Sequence, residues 1–300
     1  MMKRTVAWVT AFFLFFMHDL VFSMEISDYQ RISKQVITQD GKKYIAIRSF
    51  KMNKIPTLLI VNVDTLKTNV VDARYVVPTQ SNDLGDSTYT AALDQYTHSS
   101  EGFQHAKTGV MGTMLTIDLC PASGHFEKQF FERLAALSTS RPIPVAISIS
   151  GLWLKKHRQA FQYLVSLQQE KKLEITWVNH TYSHPYDHTL PDTHNFLLLK
   201  HVNVDQEILQ TEQLLLAANQ MPSIFLRFPG LVSSPKLMQR LYYFGLIPLD
   251  SNAWLAKDQP IKPGAIVLVH GNGNEPLGIH LLTPQLKRWH WISLYEGLNP

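Results

Sequence analysis

The apolar positions of the chain follow two different rhythms, and the change comes near residue 110. Before it, runs rich in β-branched residues predict strands over 41–53, 56–64 and 68–77, and a helical pattern follows over 89–98. The chain therefore begins with a small β-rich region, in which no motif indicates a chemistry.

After residue 110, continuous apolar runs alternate with helical patterns. The runs predict strands over 112–118, 144–150, 173–179, 224–228, 245–250 and 265–270. Helices are predicted between them, over 126–137, 154–171, 205–219 and 236–244. Such alternation is typical of a parallel sheet built from βα units. About 190 residues of it predict an α/β fold, a distorted (β/α) TIM-like barrel.

The first 23 residues have the parts of a signal peptide. Lys3 and Arg4 give a positive start, an apolar run follows, and Ser23 is a small residue at a suitable cleavage point. A membrane anchor is the alternative, but a spanning helix needs about 20 apolar residues. His18 and Asp19 interrupt the run sooner, and no second apolar span follows. We therefore expect a secreted or periplasmic protein without a stable membrane span.

The predicted organisation has three parts. They are a signal peptide at 1–23, a β-rich region of unassigned role at 24–110 and a barrel domain at 111–300. The middle part either covers an edge of the barrel's sheet or binds a partner, and the sequence leaves both open.

Composition narrows the class of protein further. With 45% hydrophobic and 17% charged residues, the chain has the material for a packed core and is not disordered. A single Cys excludes a disulfide scaffold and a multi-cysteine zinc motif. The 28 basic and 24 acidic residues form no dense basic patch, so we expect no nucleic-acid partner. The 13 histidines point instead towards a metal site.

Potentially reactive side chains recur where the predicted strands end. Asp118 ends the first strand, His180 follows the third and Arg227 lies near the end of the fourth, while Asp250 and His270 end the last two. In α/β barrels this edge is where the βα loops build active sites. We therefore expect these residues around one site, with the role of Asp250 left open.

A pair of histidines directly follows the third strand of the barrel. His180 and His184 are four residues apart, a spacing that brings two imidazoles to one side of a helical turn, as ligands of one metal ion require. Because Pro185 disfavours helix at His184, the turn is predicted to be short and to lie at the sheet edge.

Four short motifs follow one another along the barrel region. They are T-I-D-L-C-P from Thr116, H-T-Y-S-H-P from His180, R-F-P-G from Arg227 and L-V-H from Leu268. In this order they resemble the motifs of the polysaccharide deacetylase family of carbohydrate esterases, with its nodulation-type deacetylase domain, over roughly residues 110–295. The segment S-G-L-W-L-K-K-H from Ser150 also looks like the one before that family's histidine motif.

The resemblance implies an activity and a role for individual residues. Members of the family remove N-acetyl or sometimes O-acetyl groups from polysaccharides, with a divalent metal ion that is often zinc. His180 and His184 would be metal ligands, Asp118 the catalytic base, and Arg227 the residue that holds this carboxylate. His270 would be the acid that protonates the leaving amine.

Trp254 and Leu268 would form the wall of an acetyl-sized pocket, as similar residues do in the family. The two residues are equally compatible with a place in the core.

Two positions depart from the family's pattern. The second Asp of its first motif, a metal ligand, is Leu119 here, and the Asp that tunes the acid histidine is Ala253. Catalytic zinc usually has three protein ligands, so another group must replace the missing carboxylate. We favour Asp118 as this ligand. The alternatives are Cys120 and the loop residues Asp187, His188, Asp192 and His194.

The leading hypothesis is an exported, metal-dependent hydrolase that removes N-acetyl groups from peptidoglycan, an exopolysaccharide or a chitin-like glycan. The two departures motivate an alternative, a catalytically degenerate deacetylase-like protein that binds glycan. A third hypothesis keeps hydrolysis but has an O-acetyl ester as the substrate, because an ester needs less help from an acid than an amide does.

Overall fold

The computed structural model describes residues 22–79, 85–121 and 124–299. Residues 1–21, which make up most of the predicted signal peptide, lie outside these ranges. In the ranges given, no helix has both the length and the apolar character needed to cross a membrane.

An antiparallel sheet of five strands forms the N-terminal region. Its strands are β1 (Ile26–Thr38), β2 (Lys43–Met52), β3 (Ile55–Asn62), β4 (Thr68–Asp72) and β5 (Val76–Pro78). Their order in the sheet is β4-β3-β2-β1-β5. Helix α1 (Thr88–Thr97) follows, with the side chain of Ser87 accepting a hydrogen bond from the backbone of Thr90 at its start. The sequence predicted β2, β3 and α1 and missed β1. Its single strand over 68–77 is wrong, because the structure has two strands there, β4 and β5.

The second sheet is the predicted barrel, reduced to a curled half-barrel of seven parallel strands. The strands are β6 (Thr113–Leu119), β7 (Ile143–Ile149), β8 (Leu173–Asn179), β9 (Pro222–Leu226), β10 (Ile247–Pro248), β11 (Ala253–Trp254) and β12 (Ile266–His270). Their order is β10-β9-β8-β7-β6-β12-β11, and a short strand β13 (Trp291–Ile292) also pairs with β6. The predicted fold class is confirmed.

Helices alternate with the strands from β6 to β10 as expected. They are α2 (Lys128–Ala135), α3 (Gly151–Lys156), α4 (Arg158–Gln169), α5 (Val204–Ala217) and α6 (Pro235–Phe244). Strands β10, β11 and β12 follow one another without an α-helix among these described residues, and α7 (Pro276–Leu282) and α8 (Leu294–Leu298) come after β12. The single helix predicted over 154–171 is in fact the pair α3 and α4, which meet at His157.

The two faces of β6 determine which side chains reach the interior of the half-barrel. All seven of its residues are buried. Ile117 and Leu119 belong to the large core that includes residues of α2, α3 and α4. Thr116 and Asp118 lie on the opposite face, because side chains alternate along a strand. Leu119 therefore points away from the face that carries Asp118.

The N-terminal sheet shares a core with the half-barrel. Ile45 of β2 and Leu59 of β3 lie in one buried cluster with Phe225 of β9 and Ile247 of β10. Phe103 joins the same cluster, and its backbone amide bonds to the carbonyl at the end of β10. The antiparallel sheet thus covers this flank of the half-barrel.

A buried ion pair also connects the two sheets. The Arg48 guanidinium donates to both carboxylate oxygens of Glu212 on α5, at 2.7 and 2.8 Å. It further donates to the backbone carbonyls of Ile47 and Phe244, while the Tyr29 hydroxyl donates to Glu212 at 2.9 Å. Both charged side chains are buried, so the network is closed to solvent.

Candidate active site

Arg227 and Asp118 form a buried ion pair at the carboxyl ends of β9 and β6. Arg227 Nη1 donates to Asp118 Oδ1 at 2.9 Å and to Thr116 Oγ1 at 2.6 Å, and Nη2 donates to the backbone carbonyl of Asp250 at 2.9 Å. Burial alone would raise the pKa of Asp118, but the adjacent Arg227 outweighs it and holds this pKa below its ordinary value. Asp118 is therefore ionised at neutral pH, as a base must be.

His180 has a defined orientation because both of its ring nitrogens have neighbours. Nδ1 lies 2.9 Å from the backbone carbonyl oxygen of Arg227. A carbonyl can only accept, so Nδ1 carries the proton and Nε2 presents its lone pair. Nε2 lies 3.4 Å from Cys120 Sγ and 3.7 Å from Asp118 Oδ2. Burial lowers the pKa of His180, which keeps the imidazole neutral.

His184 reaches the site from a loop, and the predicted helical turn between the histidines is wrong. Thr181 and His184 have φ values of 65° and 48°, in the left-handed region. Pro185 disfavours the right-handed helical conformation at the residue before it, and His184 adopts the left-handed one instead. The two imidazole rings are nevertheless 4.9 Å apart.

The surroundings of His184 keep it neutral and in place. Its ring packs edge-on against Phe196 at 5.7 Å. Burial, together with the neighbouring His180, lowers the pKa of His184 to about 3. Asn179 supports the start of the loop, since its Oδ1 accepts from the Thr181 amide and its Nδ2 donates to the Ile208 carbonyl.

One thiol and the two imidazoles form a group of metal-ligating atoms. Cys120 Sγ and a ring nitrogen from each of His180 and His184 all lie within 4.8 Å of one another. Sulfur and nitrogen ligands of one tetrahedral zinc ion are about 3.6 Å apart, given bond lengths of about 2.3 and 2.0–2.1 Å. The 3.4 Å between Cys120 Sγ and His180 Nε2 matches this spacing. The donor set therefore fits a divalent ion that accepts sulfur and nitrogen, such as zinc.

The structure places the other residues predicted as the third ligand differently. Asp118 lies beside the Cys–His–His group, with one oxygen engaged by Arg227. The loop residues are not in the group among the described residues, and three of them are exposed: His188, Asp192 and His194. Asp187 is half-buried and accepts hydrogen bonds from Thr189.

A second carboxylate lies on the other side of Asp118, next to His270. His270 pairs in register with Asp118 across β12 and β6. Its Nδ1 lies 2.9 Å from Glu275 Oε2, and the same oxygen accepts from Trp254 Nε1 at 2.7 Å. Partial burial opposes ionisation of Glu275, but the bonds from His270 and Trp254 hold its pKa below the ordinary value.

The two residues predicted to wall the acetyl pocket lie next to this pair. Trp254 and Leu268 are in register across β11 and β12. Leu268 is buried, whereas Trp254 is partly exposed and carries Lys257 Nζ 3.5 Å from its ring centroid. Their contact with an acetyl group stays a prediction.

Sequence reasoning missed Glu275 and gave Cys120 a minor place. A usable signal for Glu275 was present, because Ala253 leaves the acid histidine without a carboxylate and Glu275 follows His270 by five residues. For Cys120, the alternation of β6 already directs Leu119 to the outer core, so the residue after it returns to the inner side.

Comparisons with known proteins found one family model and several solved structures that resemble this chain. Residues 27–91 match the family model described as RP012 protein N-terminal domain. A family 4 carbohydrate esterase from Bacillus anthracis is 19% identical, with a TM-score of 0.50 over 72% of this chain and 94% of that one. The Bc1960 peptidoglycan N-acetylglucosamine deacetylase is 16% identical, with a TM-score of 0.50 over 69% and 95%.

A family 4 pseudoenzyme from Bacillus anthracis is also similar, at 16% identity and a TM-score of 0.46 over 65% of this chain and 68% of that one. At such identities the likeness concerns the fold. The parallel half-barrel thus has the fold of the family 4 polysaccharide deacetylases.

Proposed function

We propose that the chain is a metal-dependent hydrolase that removes N-acetyl groups from a polysaccharide. The observation that carries the proposal is the convergence of three units at one sheet edge. These are the Cys120–His180–His184 donor group, the ionised Asp118 beside it, and His270 next to Asp118 in register. Amide hydrolysis needs an electrophile, a base for water and an acid for the amine.

The chain's own residues account for the base. Arg227 engages Asp118 Oδ1, which leaves Oδ2 on the side of His180 to accept the proton of an attacking water. A divalent ion bound at the donor group supplies Lewis acidity to the substrate carbonyl and lowers the pKa of water. Thr116 accepts from the same guanidinium nitrogen, so Arg227 is held from two sides.

For the metal site we propose Cys120 as the third ligand, in place of the carboxylate that is Leu119 here. The support is the 3.4 Å separation from His180 Nε2, together with the neutral imidazoles of both histidines. Asp118 then keeps its role as the base. We propose zinc as the ion, because thiolate and imidazole donors suit it.

The substrate class and the location of the protein complete the proposal. Fold neighbours include a peptidoglycan N-acetylglucosamine deacetylase, which supports an N-acetylated glycan as the substrate. Peptidoglycan, an exopolysaccharide and a chitin-like polymer all contain this group. Such polymers lie outside the cytoplasm, which agrees with the secreted or periplasmic location expected from the N-terminal residues.

Metal content and acetate release test the function together. Purified protein is expected to bind about one zinc ion and to release acetate from N-acetylglucosamine oligomers. His184→Ala should abolish both, whereas His194→Ala, which changes an exposed histidine outside the donor group, should alter neither. Absence of metal above background in the wild type would overturn the proposal, and glycan binding without acetate release would favour the glycan-binding alternative.

Cobalt substitution tests the third ligand. A thiolate bound to Co²⁺ gives a charge-transfer absorption in the near ultraviolet, which should disappear in Cys120→Ser. Asp118→Asn should keep this band and lose acetate release. The opposite pattern, with binding lost in Asp118→Asn and unchanged in Cys120→Ser, would identify Asp118 as the ligand, as the sequence first predicted.

A further inference from the structure

We propose that Glu275 positions His270 for proton donation, taking the place of the carboxylate that the chain lacks at Ala253. The inference rests on the proposed deacetylation and names the residue that orients His270 for proton donation to the leaving amine. It concerns a glutamate in the turn between β12 and α7, distant in sequence from Ala253.

Glu275 is the charged neighbour of His270 Nδ1, a buried nitrogen that forms no aligned hydrogen bond among the described residues. Oε2 lies 2.9 Å from His270 Nδ1 and accepts from Trp254 Nε1 at 2.7 Å. Two nitrogens thus converge on one oxygen, and Lys257 lies over the Trp254 ring on the same side of the site. The His270 side chain is nearly buried, while that of Glu275 is about one-third exposed.

Ala253 explains why another carboxylate is needed. Its side chain is buried in the large apolar core with Val267 and Leu255. A charged group there would be costly, because that core offers no partner for it. The adjacent Trp254 instead turns its indole nitrogen towards Glu275. The carboxylate is thus supplied by the β12–α7 turn.

This contact determines which nitrogen of His270 can give up a proton. A carboxylate only accepts, so it holds a proton on Nδ1 and leaves Nε2 as the exchanging nitrogen. In the acid step, the Nε2–H proton moves to the amine nitrogen as the C–N bond breaks and its electron pair passes to that nitrogen. The neutral imidazole that results carries its proton on Nδ1, facing Glu275. Without the carboxylate, this tautomer loses its stabilisation.

A merely structural role is the competing explanation, since Glu275 also bonds to Trp254. Trp254→Phe removes that bond and keeps a ring of similar shape. If Glu275 acts through His270, Trp254→Phe leaves the tautomer of His270 unchanged, and Glu275→Ala does not.

Nitrogen-15 NMR of the full chain with labelled histidine measures this tautomer directly. The signals of His270 are identified by their loss in His270→Gln. We expect neutral His270 to be protonated at Nδ1 in the wild type and at Nε2 in Glu275→Ala. The same tautomer in both proteins would overturn the proposal. Because this measurement needs no turnover, its outcome is independent of the outcome for the proposed deacetylation.

Kinetics give a second readout that a structural defect would not produce. Glu275→Ala should lower kcat for acetate release from N-acetylglucosamine oligomers by about 10²-fold, the usual contribution of a general acid. Hydrolysis of 4-nitrophenyl acetate should stay within about twofold, because nitrophenolate leaves without a proton. Glu132→Gln, an exposed glutamate on α2, is the matched control and should change neither. An equal loss on both substrates would overturn the positioning role.

Discussion

Removal of one partner from the buried Arg48–Glu212 pair should destabilise the whole chain. Arg48→Met strands the Glu212 carboxylate in a site closed to solvent, with only the Tyr29 hydroxyl still donating to it. Stranding a buried charge in this way costs about 3–5 kcal/mol. With a urea m-value of about 2–3 kcal/mol/M, the unfolding midpoint should fall by about 1–2 M.

The double variant separates the cost of a stranded charge from the net value of the pair. Arg48→Met with Glu212→Leu leaves no unpaired charge, so it should lose less stability than either single variant, even though two backbone carbonyls lose their donor. Lys51→Met breaks the exposed pair with Asp28 on the same sheet and should change the midpoint little.

Equilibrium urea unfolding followed by tryptophan fluorescence measures these differences. Five of the six tryptophans lie beyond residue 150, in the half-barrel, and the sixth, Trp8, lies in the predicted signal peptide, while Arg48 lies on β2. A shift of the fluorescence midpoint in Arg48→Met therefore reports coupling between the two sheets. Additive losses in the double variant, or an unchanged midpoint in Arg48→Met, would refute the reasoning.

Two further predictions concern the loop that carries His184. Gly230 has φ 62°, and an added Cβ would lie 2.5 Å from the Phe196 ring that packs on His184. Gly230→Ala should therefore lower the free energy of unfolding in urea by about 1–3 kcal/mol and weaken zinc binding in calorimetric titration. The control is Gly109→Ala, at a glycine with φ 90° and no atom within 4 Å of an added Cβ, and it should leave zinc binding intact. The metal-free protein should also lose stability as the pH falls from about 6.5 towards 3. In the unfolded chain His184 takes up a proton near its usual pKa of about 6.5, whereas burial lowers the pKa of His184 in the folded chain to about 3, so protons favour the unfolded state in this range. Thermal unfolding of His184→Gln should show a shallower pH slope, and an identical slope would contradict this assignment.

The parts of the fold that the sequence predicted best are those in which burial is continuous. All seven residues of β6 are buried, and its predicted range is displaced by one residue. Strand β1 was missed because its thirteen residues are mostly half-buried or exposed, with Val36 as the one fully buried position. A strand with both faces partly exposed to solvent shows no strong alternation of apolar and polar residues in its sequence.

The site was predictable where it depended on strand ends and unpredictable where it depended on loops. Asp118 and Arg227 meet because parallel strands end at one edge. The spacing of Glu275 from His270 makes it a candidate partner, but the contact itself requires a turn and a tryptophan from another strand to approach together, which the spacing does not encode. The path from His180 to His184 likewise depends on left-handed conformations at Thr181 and His184, and a β-branched residue such as threonine rarely adopts this conformation.

Arg227 contributes to the site through both its main chain and its side chain. Its carbonyl oxygen accepts from His180 Nδ1, and its guanidinium donates to Asp118. A displacement at the end of β9 therefore carries the imidazole and the carboxylate along together. We therefore expect thermal motion of this strand end to be shared by both groups, so that the distance between the predicted base and the predicted metal-binding nitrogen varies less than either position does.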